Sequence, residues 1–98
     1  MKREEHLLIV LSEECAEVIK EVAKSLRFGV TDCAPNSGVT NGDKIVHEIG
    51  DVIAVYEMLC KEKTLDKMNT NILDAHIRHK QGKVEEWLKY SEKNNRLN

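Results

Sequence analysis

Residues 4–27 run without proline or glycine, and apolar side chains recur at Leu7, Leu8, Leu11, Cys15, Val18, Ile19, Val22 and Leu26. That i, i+3, i+4 recurrence has the period of a helix and not of a strand, so the segment predicts a long amphipathic helix with a buried apolar stripe. Phe28 and Gly29 close it, Gly29 as a left-handed stop. A second helix is expected over residues 43–62, with Ile45, Val46, Ile49, Val52, Ile53, Tyr56 and Leu59 on one face and Thr40, Asn41 or Asp43 as N-cap. Gly50 inside it suggests a close backbone approach. A third pattern, Ile72, Ala75, Ile77, Val84, Trp87 and Leu88, is interrupted by Gly82 and reads as one long bent helix or two short ones. Residues 61–71 are polar, with a turn or short helical piece expected near Asp66, and residues 94–98 read as a frayed end.

The fold class that follows is all-α: a small antiparallel bundle of three to four helices in a single domain of 98 residues. One proline, five glycines and 41% hydrophobic residues exclude collagen-like, low-complexity and membrane-spanning classes, and 4% aromatics argue against a β-sandwich or a base-stacking surface. Fifteen Lys and Arg against 17 Asp and Glu leave a net charge of −2, so no basic field draws the chain to a nucleic-acid polymer. The apolar run at residues 7–11 is too short for a signal core or a membrane span, and no membrane partner is expected. Cys15, Cys33 and Cys60 form no CxxC pair and leave an odd thiol, which fits a reducing, cytoplasmic setting. Cys15 and Cys60 are read as small core hydrophobes and Cys33 as a loop thiol.

Residues 30–42 carry Pro35-Asn36, Ser37-Gly38 and Asn41-Gly42, each a turn signal. This connection is longer than two antiparallel helices need, which makes it a candidate substrate-facing element.

The chemistry lies in the acids. Glu13, Glu14, Glu17 and Glu21 fall within an arc of roughly 100° on the first helix, beside the apolar stripe. Like charges at i, i+3 and i+4 repel, and Glu48 and Asp51 repeat the device on the second helix. Taken singly, each of these acids reads as part of a solvated face. Two such sets on consecutive antiparallel helices can instead face one groove, where a hard divalent cation would relieve their repulsion. All-oxygen ligands without His or Cys favour Mg²⁺ or Mn²⁺ over Zn²⁺. A di-iron bundle would need Glu-x-x-His, and none of His6, His47, His76 or His79 has Glu three residues earlier. His76 and His79 read as helix-flank histidines.

Glu13-Glu14-Cys15-Ala16-Glu17 and Glu48-Ile49-Gly50-Asp51, with the flanks Lys24-Ser25-Leu26-Arg27-Phe28-Gly29 and Val52-Ile53-Ala54, resemble the EExx(E/D) and ExxD signature of the MazG-like all-α nucleoside triphosphate pyrophosphohydrolases. The likeness is to the short, single-module members of phages and bacteria, and it extends to Lys80, Lys83-Val84 and Leu88-Lys89-Tyr90-Ser91. The resemblance implies Mg²⁺-dependent hydrolysis of (deoxy)nucleoside triphosphates to monophosphate and pyrophosphate, in nucleotide-pool house-cleaning or phage nucleotide metabolism. It also implies a helical bundle working as a homo-dimer or tetramer. Glu14, Glu17, Glu48 and Asp51 match the metal-ligand positions, and Glu13 matches the first motif glutamate, assigned here to orienting or deprotonating the attacking water. A related substrate such as phosphoribosyl-ATP is compatible with the same acidic helices.

Lys24, on about the same face as Glu17, and Arg27 and Asn41, which bracket the loop, are candidates for phosphate contacts. The plainer reading of the three is helix-dipole partners for Lys24 and Arg27 and a cap for Asn41. Lys80 and Lys83 are weaker phosphate candidates, and Trp87 is assigned to packing. A chain this short buries only about 60 to 65% of its unfolded surface, so repelling acids would need support from association, and a homo-oligomer is expected. The rival reading from another class is a non-catalytic helical interaction module that retains the fold.

Overall fold

The computed structural model describes residues 1–66 and 70–97. Three helices follow one another, α1 (Arg3–Phe28), α2 (Asn41–Lys61) and α3 (Thr70–Lys93), and the described residues form no strand. The protein is all-α. It divides into two compact units, residues 1–66 and residues 67–98.

In the first unit α1 and α2 make an antiparallel helical hairpin. Arg3, at the start of α1, pairs with Glu62, just past the end of α2, at 2.7 Å. At the opposite end the Asn41 Nδ2 donates to the Gly29 carbonyl oxygen at 2.9 Å. Leu7, Val55 and Leu59 form the buried core between them, with Val10, Leu11 and Leu65 packed against it, and Leu59 is fully buried.

The contact between the helices is a narrow seam. On α1 the residues turned inward include Leu7, Leu11, Glu14, Val18, Glu21 and Ser25, and on α2 they include Asn41, Ile45, Glu48, Val52, Val55 and Leu59, all buried or half-buried. These are alternating steps of three and four, the coiled-coil spacing. The expected stripe was broader than this. Leu8, Ile19, Val22 and Leu26 each stand one residue after a seam position, about 100° further round the helix, and they are exposed, Leu26 at 84%. Val46, Ile49 and Ile53 stand the same way on α2 and are also exposed. Cys15, one residue after Glu14, is exposed for the same reason and is no core residue. Cys60 is half-buried and Cys33 is an exposed loop thiol, as its position predicts.

The local signals that start and stop these helices are specific. Thr40 caps α2 through a capping box: its hydroxyl accepts from the Asp43 N–H at 3.0 Å, and the Asp43 carboxylate accepts from the Thr40 N–H at 3.0 Å. These bonds, the backbone one first, hold the Asp43 carboxyl below its ordinary range. Gly29 ends α1 at φ 101° and ψ 144°, a positive-φ extended conformation open to glycine, in place of the left-handed one expected. Gly50 meets nothing within 4 Å, so no close approach explains it.

Residues 29–40 are folded back and tied at both ends. Asp32 N–H donates to the Gly29 carbonyl, Asn41 N–H to that of Asp32, and Gly42 N–H to that of Val30, with an antiparallel bridge between Cys33 and Thr40. After α2 the chain turns at Lys63, φ 61°, with Thr64 and Leu65 N–H bonded back to the Leu59 carbonyl. Of the turn expected over residues 61–71, residues 67–69 lie outside the described residues.

In the second unit α3 runs unbroken through Gly82, so the third pattern is one helix. Its apolar residues, Ile72, Ile77, Val84, Trp87 and Leu88 among them, are exposed, and the Lys80 ammonium sits 4.6 Å from the Trp87 ring centre. Of the end expected to fray, residues 94–96 are tied back to α3, and residue 98 lies outside the described residues. Asn95 takes φ 58° and Arg96 N–H bonds the Ser91 carbonyl at 2.7 Å, a left-handed helix stop.

Candidate functional site

The seam of the hairpin changes character along its length. Near Arg3 and Glu62 it is apolar; in the middle Glu14 of α1 faces Glu48 of α2; towards the loop it holds Glu21, Ser25 and Asn41, all three buried. Carboxylates therefore occupy seam positions where a two-helix contact would ordinarily place leucine or valine.

Glu14, Glu48 and Asp51 converge there, each offering one carboxylate oxygen, and these oxygens lie within 4.8 Å of one another. Glu14 and Glu48 are half-buried and Asp51 is exposed. Burial, then the negative charges of Asp51, Glu14 and Glu17 and a hydrogen bond shared with Asp51, hold the Glu48 carboxyl above its ordinary range. Such a cluster fits a hard divalent cation. Two oxygens on one ion are at most about 4.2 Å apart on Mg²⁺ and about 5 Å apart on Ca²⁺, so oxygens within 4.8 Å of one another suit a Ca²⁺-sized shell as they stand and come within reach of Mg²⁺ after closing by about half an ångström. The donor set is all oxygen.

Of the other expected site residues, Glu17 is exposed and stands outside this trio, 4.0 Å from Lys20, though close enough for its charge to act on Glu48. Glu13 is exposed, about 100° round α1 from Glu14. The Lys24 ammonium is 3.1 Å from the carboxylate of Glu21, which is only 6% exposed, so its charge is largely answered within the fold. Arg27 lies over the Phe28 ring at 5.1 Å. Asn41 is not the cap; it is the first residue of α2, and its side chain ties α2 to the end of α1.

A cavity of about 260 Å³ opens beside this tie, lined by Lys24 and Phe28 of α1, residues 32–35 of the turn, and Asn41 and Lys44 of α2. Lys24 and Asn41 were expected near substrate and line it. Asp32 and Lys44 were not singled out. A signal for Lys44 existed in the sequence: it stands seven residues before Asp51, two helical turns along the same face. Asp32 carried none, because its place depends on the backbone bonds that fold the turn back.

The family model for the MazG nucleotide pyrophosphohydrolase domain matches residues 2–81. No curated protein and no solved structure matches the chain. The matched span takes in both acidic motifs and four-fifths of the length, and the chain belongs to the MazG nucleotide pyrophosphohydrolase family.

Proposed function

We propose that the protein hydrolyses (deoxy)nucleoside triphosphates to the monophosphate and pyrophosphate in a Mg²⁺-dependent reaction, Mn²⁺ being an alternative ion. The observation that carries this reading is the convergence of Glu14, Glu48 and Asp51 in the seam of a MazG-family hairpin. Glu14, Glu48 and Asp51 would hold the cation, with Glu17 as a fourth ligand from the next turn of α1. When bound, the cation neutralises phosphate charge that the acids would otherwise repel. Glu13 orients the attacking water or takes its proton as the water oxygen adds to the α-phosphorus; the α–β anhydride bond breaks and pyrophosphate leaves.

The reading takes residues 1–98 as one MazG module, supported by a family match that runs across both compact units. It includes a homo-dimer or tetramer. Support comes from the second apolar stripes of α1 and α2 and the apolar side chains of α3, which are exposed in the single chain. A cytoplasmic setting accords with three free thiols. No helix among the described residues is long and apolar enough to cross a membrane.

Pyrophosphate release is the test, measured over a panel of nucleoside triphosphates with and without Mg²⁺, beside Glu17→Gln and Asp51→Asn. Metal-dependent release that falls at least about 100-fold in Asp51→Asn is expected. No release from any triphosphate, or equal rates in both variants and the parent, leaves the non-catalytic helical interaction module.

A further inference from the structure

The cavity between the end of α1 and the start of α2 is related to the acidic cluster by the register of both helices. Lys24 stands seven residues after Glu17, Asn41 seven before Glu48, and Lys44 seven before Asp51. Seven residues are two turns, so each of these three shares a face with its acid and lies about 10 Å along the helix from it. Through Asn41 and Lys44 the cavity lies on the same face of α2 as Glu48 and Asp51, two of the converging carboxylates.

Its charge is not that of a phosphate site. Lys24 is held by the buried carboxylate of Glu21 at 3.1 Å, and Lys44 shares the cavity with Asp32. The four side chains sum to zero. What remains is the Phe28 ring, over which Arg27 lies at 5.1 Å, with Cys33, Ala34, Pro35 and the amide of Asn41, a mostly apolar wall with a few polar groups. Its volume of about 260 Å³ lies just under the range of pockets for drug-sized molecules, about 300–1,000 Å³, and suits a single base and sugar. Asp32 is well placed to discriminate. Its N–H is bonded to Gly29 and its carbonyl to Asn41 N–H, so its backbone is fixed on both sides.

We propose that this cavity receives the nucleoside end of the substrate and selects bases that carry an exocyclic amine, with Asp32 accepting from the amine and Lys44 donating to a ring nitrogen or carbonyl of the same base. This rests on the nucleotide reading above and adds to it the class of base. A uracil or thymine ring presents carbonyl oxygens where the amine would stand, and a carboxylate repels them. The acidic cluster holds the triphosphate end, two turns away.

Cys33 gives a direct readout, since it is an exposed thiol lining the cavity, while Cys15 is exposed on α1 outside it. In the full chain, deoxycytidine or deoxyadenosine should slow alkylation of Cys33, read by peptide mass spectrometry, and leave Cys15 unchanged, with thymidine protecting less. Asp32→Asn, whose amide also donates, should lower the kcat/KM preference for amino-bearing over uracil and thymine triphosphates roughly 10- to 100-fold. Triphosphate hydrolysis with Cys33 unprotected and base preference unchanged in Asp32→Asn overturns the pocket and leaves the reaction standing. Selective protection of Cys33 without hydrolysis of any triphosphate upholds the pocket and overturns the reaction.

Discussion

Asn41, the first residue of α2, donates from its Nδ2 to the carbonyl oxygen of Gly29, the residue that ends α1, at 2.9 Å. The chain between them also returns through Asp32 N–H to the same carbonyl and Asn41 N–H to the carbonyl of Asp32. A helix C-terminus and a helix N-terminus are thus joined by side chain and main chain together, and the cavity is built on that joint. Asn41 is 5% exposed, so its amide cannot trade this bond for water without opening the hairpin.

Asn41→Ala should therefore cost about 1–3 kcal/mol, the range for leaving a buried polar partner unsatisfied. Urea unfolding read by circular dichroism checks it, with an unchanged slope showing that the midpoint shift is a stability change. Asn41→Asp, which cannot donate, should be no better than alanine.

At the far end of the seam the core is small, and Leu59 is its one fully buried large side chain among the described residues. Leu59→Ala should cost about 2–5 kcal/mol, by lost transfer energy and by the cavity left between Leu7 and Val55. With so few buried contacts elsewhere in the hairpin, thermal unfolding of this variant should begin below 37 °C or lose its cooperative transition.

The acidic cluster gives a pH dependence whose sign is fixed by Glu48. Its folded carboxyl is held above the ordinary value of 4.5, so folding takes up a proton there. Without metal, the Glu48 contribution to stability is lost as pH rises from 4.5 through the raised value, and regained on acidification. Asp43 acts the other way and lower down: depressed below 3.8, it contributes stability above that value and loses it as pH falls through the depressed one. The metal-free melting temperature should rise on acidification towards 4.5 and fall below 3.8. Glu48→Gln should flatten the upper limb and leave the lower one. At pH 7, Mg²⁺ should raise the melting temperature of the parent and have little effect on Glu48→Gln.

The two helices of the hairpin were legible because their signals are local: a proline-free apolar period for α1 (Arg3–Phe28), and for α2 (Asn41–Lys61) an apolar period behind three possible caps, of which Thr40 is the one used. The acids were legible by spacing, and Glu14, Glu48 and Asp51 meet. Which stripe faces the partner helix was not legible. Leu7 and Leu8, Val18 and Ile19, Ser25 and Leu26 are pairs one residue apart, and a periodic pattern does not say which member turns inward. The answer depends on polar seam positions, Glu21, Ser25 and Asn41, that hydrophobicity alone assigns to the surface. The pairing of Lys24 with Glu21 was hidden for the same reason. Asp32 was invisible because a backbone fold, not a side-chain pattern, brings it to the cavity.

Gly42 tests the joint from its other side. A Cβ built there would stand 2.8 Å from Val30 Cγ1 and 3.4 Å from the Val30 carbonyl oxygen, which itself accepts from the Gly42 N–H at 2.8 Å. The Val30 side chain is 58% exposed, but its β-branch restricts χ1, and the carbonyl oxygen cannot yield without moving the backbone of residue 30. Gly42→Ala should therefore push residues 30–33 away from α2, costing roughly 1–3 kcal/mol as overpacking does. Because Asp32 and Cys33 move with that segment, Cys33 alkylation should quicken in the variant. Val30→Ala removes the methyl at closest approach, so the double variant should recover at least about half of the lost stability, a coupling that a double-mutant cycle in urea measures directly. The carbonyl contact at 3.4 Å remains in the double variant, which is why recovery should be partial. Additive losses in the cycle would mean that α2 accommodates the methyl by moving as a whole, and Cys33 reactivity would then stay at its parent rate.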